Sequence, residues 1–176
     1  MISAHFSAIL FGSGDKRRDE SMKDMGLETG HQHSWTLSGF HGKARVATIF
    51  GELPIEALRL RDELKTPLGR YLRVAWLDRI NLDEDFLAGN RSAMPVLVRR
   101  NALARDVPKN DLMISPAQML MVPEGRAPGK PRSGRDLEKR HPGVLHKPVN
   151  TITYYRFHCG QAVQVLVEGV WCPTAP

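Results

Sequence analysis

The apolar residues of this 176-residue chain come in short runs, broken by Gly, Pro and Asn turn signals roughly every eight to twelve residues. That spacing leaves little room for long helices and predicts a compact all-β fold of short strands and hairpins. Ala44 to Phe50 is rich in β-formers, and Gly51-Glu52 supplies a turn. Thr66-Pro67-Leu68-Gly69 is a second turn signal. Tyr71 to Ile80 alternates, with Leu72, Val74 and Trp76 pointing one way and Tyr71, Arg73 and Ala75 the other, which reads as one half-buried strand. Pro95–Arg99, Met119–Val122, Thr151–Cys159 and Ala162–Val167 complete the strand-like runs.

The remaining stretches read differently. Residues 1–37 look like a disordered or weakly helical tail, with a charged Lys16–Met25 segment and a His31-x-His33 pair that lacks a third ligand within metal-binding spacing. Residues 38–176 form the β domain. Asn81–Arg91 reads as a loop with one helical turn. A basic Pro/Gly-rich insertion occupies about 124–148, with a short helix over Arg135–Arg140. Between Arg126 and Lys147, seven Lys or Arg face only Asp136 and Glu138, so nearly all of the formal +6 sits in one stretch. Charge gathered this way is a local loop property, whereas a nucleic-acid partner asks for a basic face with aromatic residues for stacking. No run is long enough for a transmembrane helix, and no secretory signal stands at the start, so the expectation is a cytoplasmic chain with no membrane partner. Cys159 and Cys172 read most simply as free thiols of a reducing compartment, with a single disulfide as the alternative. No cofactor or metal site is expected.

The stretch Ser38–Leu64 carries a more specific signal. Phe40, Arg45, Val46, Ala47 and Thr48, followed by Pro54, Ile55, Glu56 and Leu58, resemble the opening of bacterial-type Hint modules, the self-processing domains of hedgehog proteins and inteins. Arg73, Val74 and Trp76 resemble the next strand of that family. Asp111-Leu112-Met113-Ile114-Ser115-Pro116 resembles its second signature block, and Glu168-Gly169 its closing turn. The resemblance runs from Ser38 to Pro173 and implies a horseshoe-like Hint fold. It also implies a chemistry: a leading cysteine attacks the carbonyl before it, while a hydroxyl and a histidine of the second block polarise the bond and protonate the departing nitrogen. Here Gly39 stands at the nucleophile position and Gln118 at the histidine position. Glycine has nothing to attack with, and an amide carries no proton.

Ser38, one residue upstream, and Ser115, at the hydroxyl position, are the catalytic candidates that remain. Each also has a structural reading, Ser38 as a strand-start residue and Ser115 as the hydrogen bond closing a Ser-Pro turn. His158 and Cys159 are strand neighbours that point to opposite faces, so they do not form a dyad. His41 reads as a satisfied surface or turn histidine. Cys172-Pro173-Thr174-Ala175-Pro176 lacks the asparagine that splicing uses. The leading expectation is a degenerate Hint module with a binding or structural role and no enzymatic activity, its partner unknown beyond a fused or neighbouring protein segment. The alternatives are residual autoproteolysis before Ser38 through an ester, and a small basic nucleic-acid-binding domain.

Overall fold

The computed structural model describes residues 34–124 and 127–176, so the tail reading for residues 1–33, including the Lys16–Met25 helix and the His31/His33 pair, lies outside the described residues. The chain runs β1 (Phe40–His41), β2 (Arg45–Thr48), β3 (Gly51–Pro54), β4 (Glu63–Lys65), β5 (Tyr71–Arg73), β6 (Trp76–Leu82), α1 (Glu84–Gly89), β7 (Val96–Val98), β8 (Leu112–Ile114), β9 (Met119–Glu124), β10 (Ala127–Ser133), α2 (Gly134–Glu138), β11 (Val144–His146), β12 (Ile152–His158), β13 (Val163–Val167) and β14 (Val170–Thr174). Every strand pairing is antiparallel, and the fold is all-β, as the punctuation of the sequence predicts. One six-stranded sheet has the order β11-β7-β8-β1-β12-β6. A second has the order β14-β13-β2-β4-β5, with β3 on β2 as its sixth strand. β9 and β10 form a separate ribbon.

Local chemistry explains the turns. β2 and β3 close over Gly51, whose φ of 109° suits glycine, while the Thr48 hydroxyl donates to Gly51 O at 2.8 Å. β13 and β14 join through Glu168-Gly169, both at positive φ, as a two-residue hairpin loop with right-handed strand twist requires. Glu168 tolerates that position because its buried carboxylate is fully used: Oε1 accepts from Arg45 N (2.8 Å) and Oε2 from Asn110 Nδ2 (2.9 Å). The larger core lies among Val46, Leu64, Val98, Leu112, Ile114, Leu120, Val165 and Val167. A smaller one gathers Leu82, Leu87, Ala93, Ile152 and Tyr154, with Trp35 packed against it.

Two sequence expectations change. Tyr71–Ile80 is not one strand. β5 ends at Arg73 in the second sheet and β6 begins at Trp76 in the first. The partner switches between them: Val74 N bonds Asp62 O, and Ala75 N bonds His158 O. The basic stretch is not a solvated insertion either. It supplies β10, α2 and β11, it buries Leu137 and Val144, and β11 extends the first sheet against β7. The Ser133 hydroxyl caps α2 by accepting from Asp136 N at 3.1 Å. Asn81–Arg91 holds the end of β6 and then α1, capped by Asp83 accepting from Phe86 N at 2.9 Å. Among the described residues no helix is long and apolar enough to cross a membrane, which leaves strand-built spans aside.

Candidate functional site

The two signature blocks meet at β1. Phe40 pairs with Ile114 of β8 on one side and with Tyr155 of β12 on the other. This register sets Gly39 against Ser115, whose N–H donates to Gly39 O at 2.9 Å. Ser38, just before, is exposed, and its hydroxyl has no hydrogen-bond partner among the described residues.

Gly39 is buried, and a Cβ built on it would stand 2.8 Å from Tyr154 Cβ and 3.4 Å from the Tyr155 carbonyl oxygen. Glycine is therefore a packing requirement at the position where the resemblance asks for a nucleophile. Tyr154 is itself fully buried, its hydroxyl donating to Ala93 O at 2.8 Å, and burial pushes its phenol far above the ordinary range.

Ser115 follows β8 and does two things. Its Oγ accepts from Ala117 N at 3.3 Å, closing the turn at Pro116. It also donates to Leu37 O at 2.5 Å. The Trp35 indole Nε1–H reaches the same carbonyl at 2.8 Å and Ser115 Oγ at 3.1 Å. The carbonyl of the Leu37–Ser38 peptide therefore carries two side-chain donors, an arrangement that stabilises negative charge on that oxygen. Gln118 is buried. Its Nε2 donates to Met119 O at 3.0 Å, and its backbone ties Ser115 O to Gly134 N.

Ser38 and Gln118 border one cavity of about 210 Å³, together with Phe40, Arg156 and the outgoing Pro173–Ala175 segment. Arg156 is the charged side chain on its wall, held 5.3 Å over the Trp76 ring with Nη1 3.7 Å from Asp78. Among the described residues bordering this cavity there is no histidine or carboxylate.

The other titratable candidates lie elsewhere. His158 stacks on Trp76 (5.2 Å between centroids), with Nδ1 accepting from Gly160 N. Cys159 and Cys172 are both free, and burial raises both thiols, keeping them protonated. His41 borders a larger cavity of about 440 Å³ with Glu56, Asn81, Thr153 and Tyr155. Desolvation and Lys43 lower its pKa, while Glu56 opposes them. Among the described residues no group of His, Cys, Asp and Glu is placed to hold a metal. Trp35, Arg135 and Tyr154 belong to no motif that marks them in the sequence as site residues. The one signal for Trp35 is a large aromatic residue in an otherwise polar run just ahead of the first strand.

Residues 38–175 match the family model for the Hint domain, and the chain belongs to the Hint domain family. Among solved structures it is similar to the MchDnaB-1 intein (12% identity, 77% of this chain and 98% of that chain, TM-score 0.47). It is also similar to the N145AA form of that intein (12% identity, 78% and 99%, TM-score 0.49) and to the gp41-1 intein (7% identity, 78% and 98%, TM-score 0.47). A search of curated proteins finds no match.

Proposed function

We propose that this chain is a Hint module that keeps its fold without cutting its own backbone, and that it serves as a binding or structural domain. The observation that carries this reading is the packing at Gly39: the nucleophile position has no side chain and no room for one beside Tyr154. Gln118 supports it, since its amide is spent on Met119 O and has no proton to give to a departing nitrogen. General acid–base help of that kind is worth about 10²–10⁴ in rate. Intact mass of the freshly purified chain, and again after long incubation with thiol, tests the proposal. One species spanning Met1 to Pro176 is the expected result; a fragment beginning at residue 38 or 39 would overturn it.

The two donors on Leu37 O favour one second reading, slow autoproteolysis before Ser38. In that reaction Ser38 Oγ bonds to the Leu37 carbonyl carbon, the C–N bond breaks, and the hydroxyl proton ends on the nitrogen; water then hydrolyses the ester. The oxyanion has its donors, but among the described residues bordering Ser38's cavity the proton has no histidine or carboxylate to carry it. A fragment of residues 38–176 that hydroxylamine increases and Ser38→Ala abolishes would establish this reading. A full-length mass under the same treatment removes it.

A further inference from the structure

Residues 34–39 form no strand or helix, yet side chains hold three of their main-chain groups, Trp35 N, Trp35 O and Leu37 O. Trp35 N donates to Ser92 Oγ at 3.2 Å, and Trp35 O accepts from Arg135 Nη2 at 2.9 Å. Leu37 O takes Ser115 Oγ and the Trp35 indole, as described above. The indole packs edge-on to Phe86 (6.0 Å, 76°) and beside Tyr154 (6.3 Å). Thr36, between these anchors, is exposed.

The division of labour is informative. All the holding residues, Phe86, Ser92, Ser115, Arg135 and Tyr154, lie within the family match over residues 38–175, whereas Trp35 and Leu37 lie before it. A segment with several main-chain groups met by a domain's side chains, and one aromatic anchor in a socket, is how a domain reads a peptide. An indole also brings a large apolar area and a directed N–H at little cost in side-chain freedom.

We propose that this face is a peptide-recognition site whose ligand is the chain's own Ser34–Leu37 segment. It reads an indole at position 35 and a main-chain carbonyl at position 37, and is indifferent to the side chain between them. The inference deepens the non-cleaving reading, by naming what the module holds. It also carries a consequence for the other reading: a chain cut after Leu37 would keep its upstream piece bound.

The test empties the socket and offers the ligand back. Full-length Trp35→Gly is titrated with acetyl-Ser-Trp-Thr-Leu-amide, and with the same peptide carrying Ala in place of Trp. The Trp peptide should bind the variant at least ~tenfold more tightly than it binds the wild-type chain, where the socket is filled. The Ala peptide should not bind. Adding Arg135→Met to Trp35→Gly should weaken the Trp peptide by roughly tenfold or more, the worth of a hydrogen bond from a charged donor. Equal binding of the Trp peptide to variant and wild type, or equal binding of the two peptides, overturns the proposal.

If Trp35→Gly does not fold, Arg135→Met in the otherwise native chain takes its place. Chymotrypsin should then cut after Trp35 or Leu37 several-fold faster than in the wild type, with other cuts and Tm unchanged; an unchanged rate overturns the proposal. Intact mass of the same samples separates the two claims. A fragment beginning at residue 38 refutes the non-cleaving reading, and the site stands if the upstream piece co-elutes with it on gel filtration and falls if it does not.

Discussion

A cysteine at Gly39 would supply the nucleophile that the family resemblance asks for at this position, and the packing argues that the site will not accept it. The added Cβ would lie 2.8 Å from Tyr154 Cβ, an atom one bond from the backbone of β12 rather than the free end of a side chain. β12 is paired by β1 on one side and β6 on the other, so it has no free direction in which to retreat. The Tyr155 carbonyl at 3.4 Å closes the approach further. Overfilling a site of this kind costs about 1–3 kcal/mol. For a domain of this size that is a fall in Tm of roughly 3–12 °C. Gly39→Ala isolates the Cβ, and Gly39→Cys adds Sγ to the same clash, so the cysteine variant should be at least as destabilised. Thermal unfolding followed by circular dichroism or calorimetry reads both, beside a thiol-reagent titration of Gly39→Cys. A Gly39→Ala chain as stable as the wild type, or a Gly39→Cys chain that melts normally and presents a reactive thiol, would refute the argument.

Other residues give smaller but sharp expectations. Tyr154→Phe keeps the ring and leaves the buried Ala93 carbonyl without its donor, which should cost about 1–2 kcal/mol in denaturant titrations. Glu168→Ala strips the acceptors from Arg45 N and Asn110 Nδ2 and should cost about 2–3 kcal/mol, while Glu168→Gln should cost less because Asn110 can turn its amide over. His41 resists protonation in the folded chain, chiefly through desolvation, so its folded pKa lies below the ordinary value near 6.5. Its contribution is therefore complete above that value and is lost as pH falls below it towards the folded pKa. Tm measured from pH 7.5 down to 5 should decline more steeply in the wild type than in His41→Asn; parallel curves would count against it.

Much of the architecture was legible because short alternating runs and turn residues state their own geometry. Val165 and Val167 bury on one face as their alternation implies, and Glu168-Gly169 makes the hairpin turn that its glycine suggests. The break between β5 and β6 was not legible. Alternation persists across Val74-Ala75 in sequence, while the strand that receives the hydrogen bonds changes there, and partner choice is a tertiary matter. The basic stretch misled for a related reason. Lys and Arg dominate its composition, but Leu137 and Val144 bury in the core while β10 and β11 pair with β9 and β7. At the site, motif spacing pointed to Ser38, Gly39, Ser115 and Gln118, and β1 sets the first three beside one another. No spacing rule could have shown that Gly39 is held glycine by a tyrosine 115 positions later, or that an indole ahead of the domain shares a carbonyl with Ser115.

The approach of Ser38 to Pro173–Ala175 has a mechanical side. Incoming and outgoing backbone emerge beside each other, yet β1 sits inside one sheet, flanked by β8 and β12, and β14 lies at the rim of the other, paired among the described residues with β13 on one edge and packed against β9. Tension drawn between the two flanks would thus load an interior strand against a border strand. β14 should peel first, rung by rung, while β1 holds its grip.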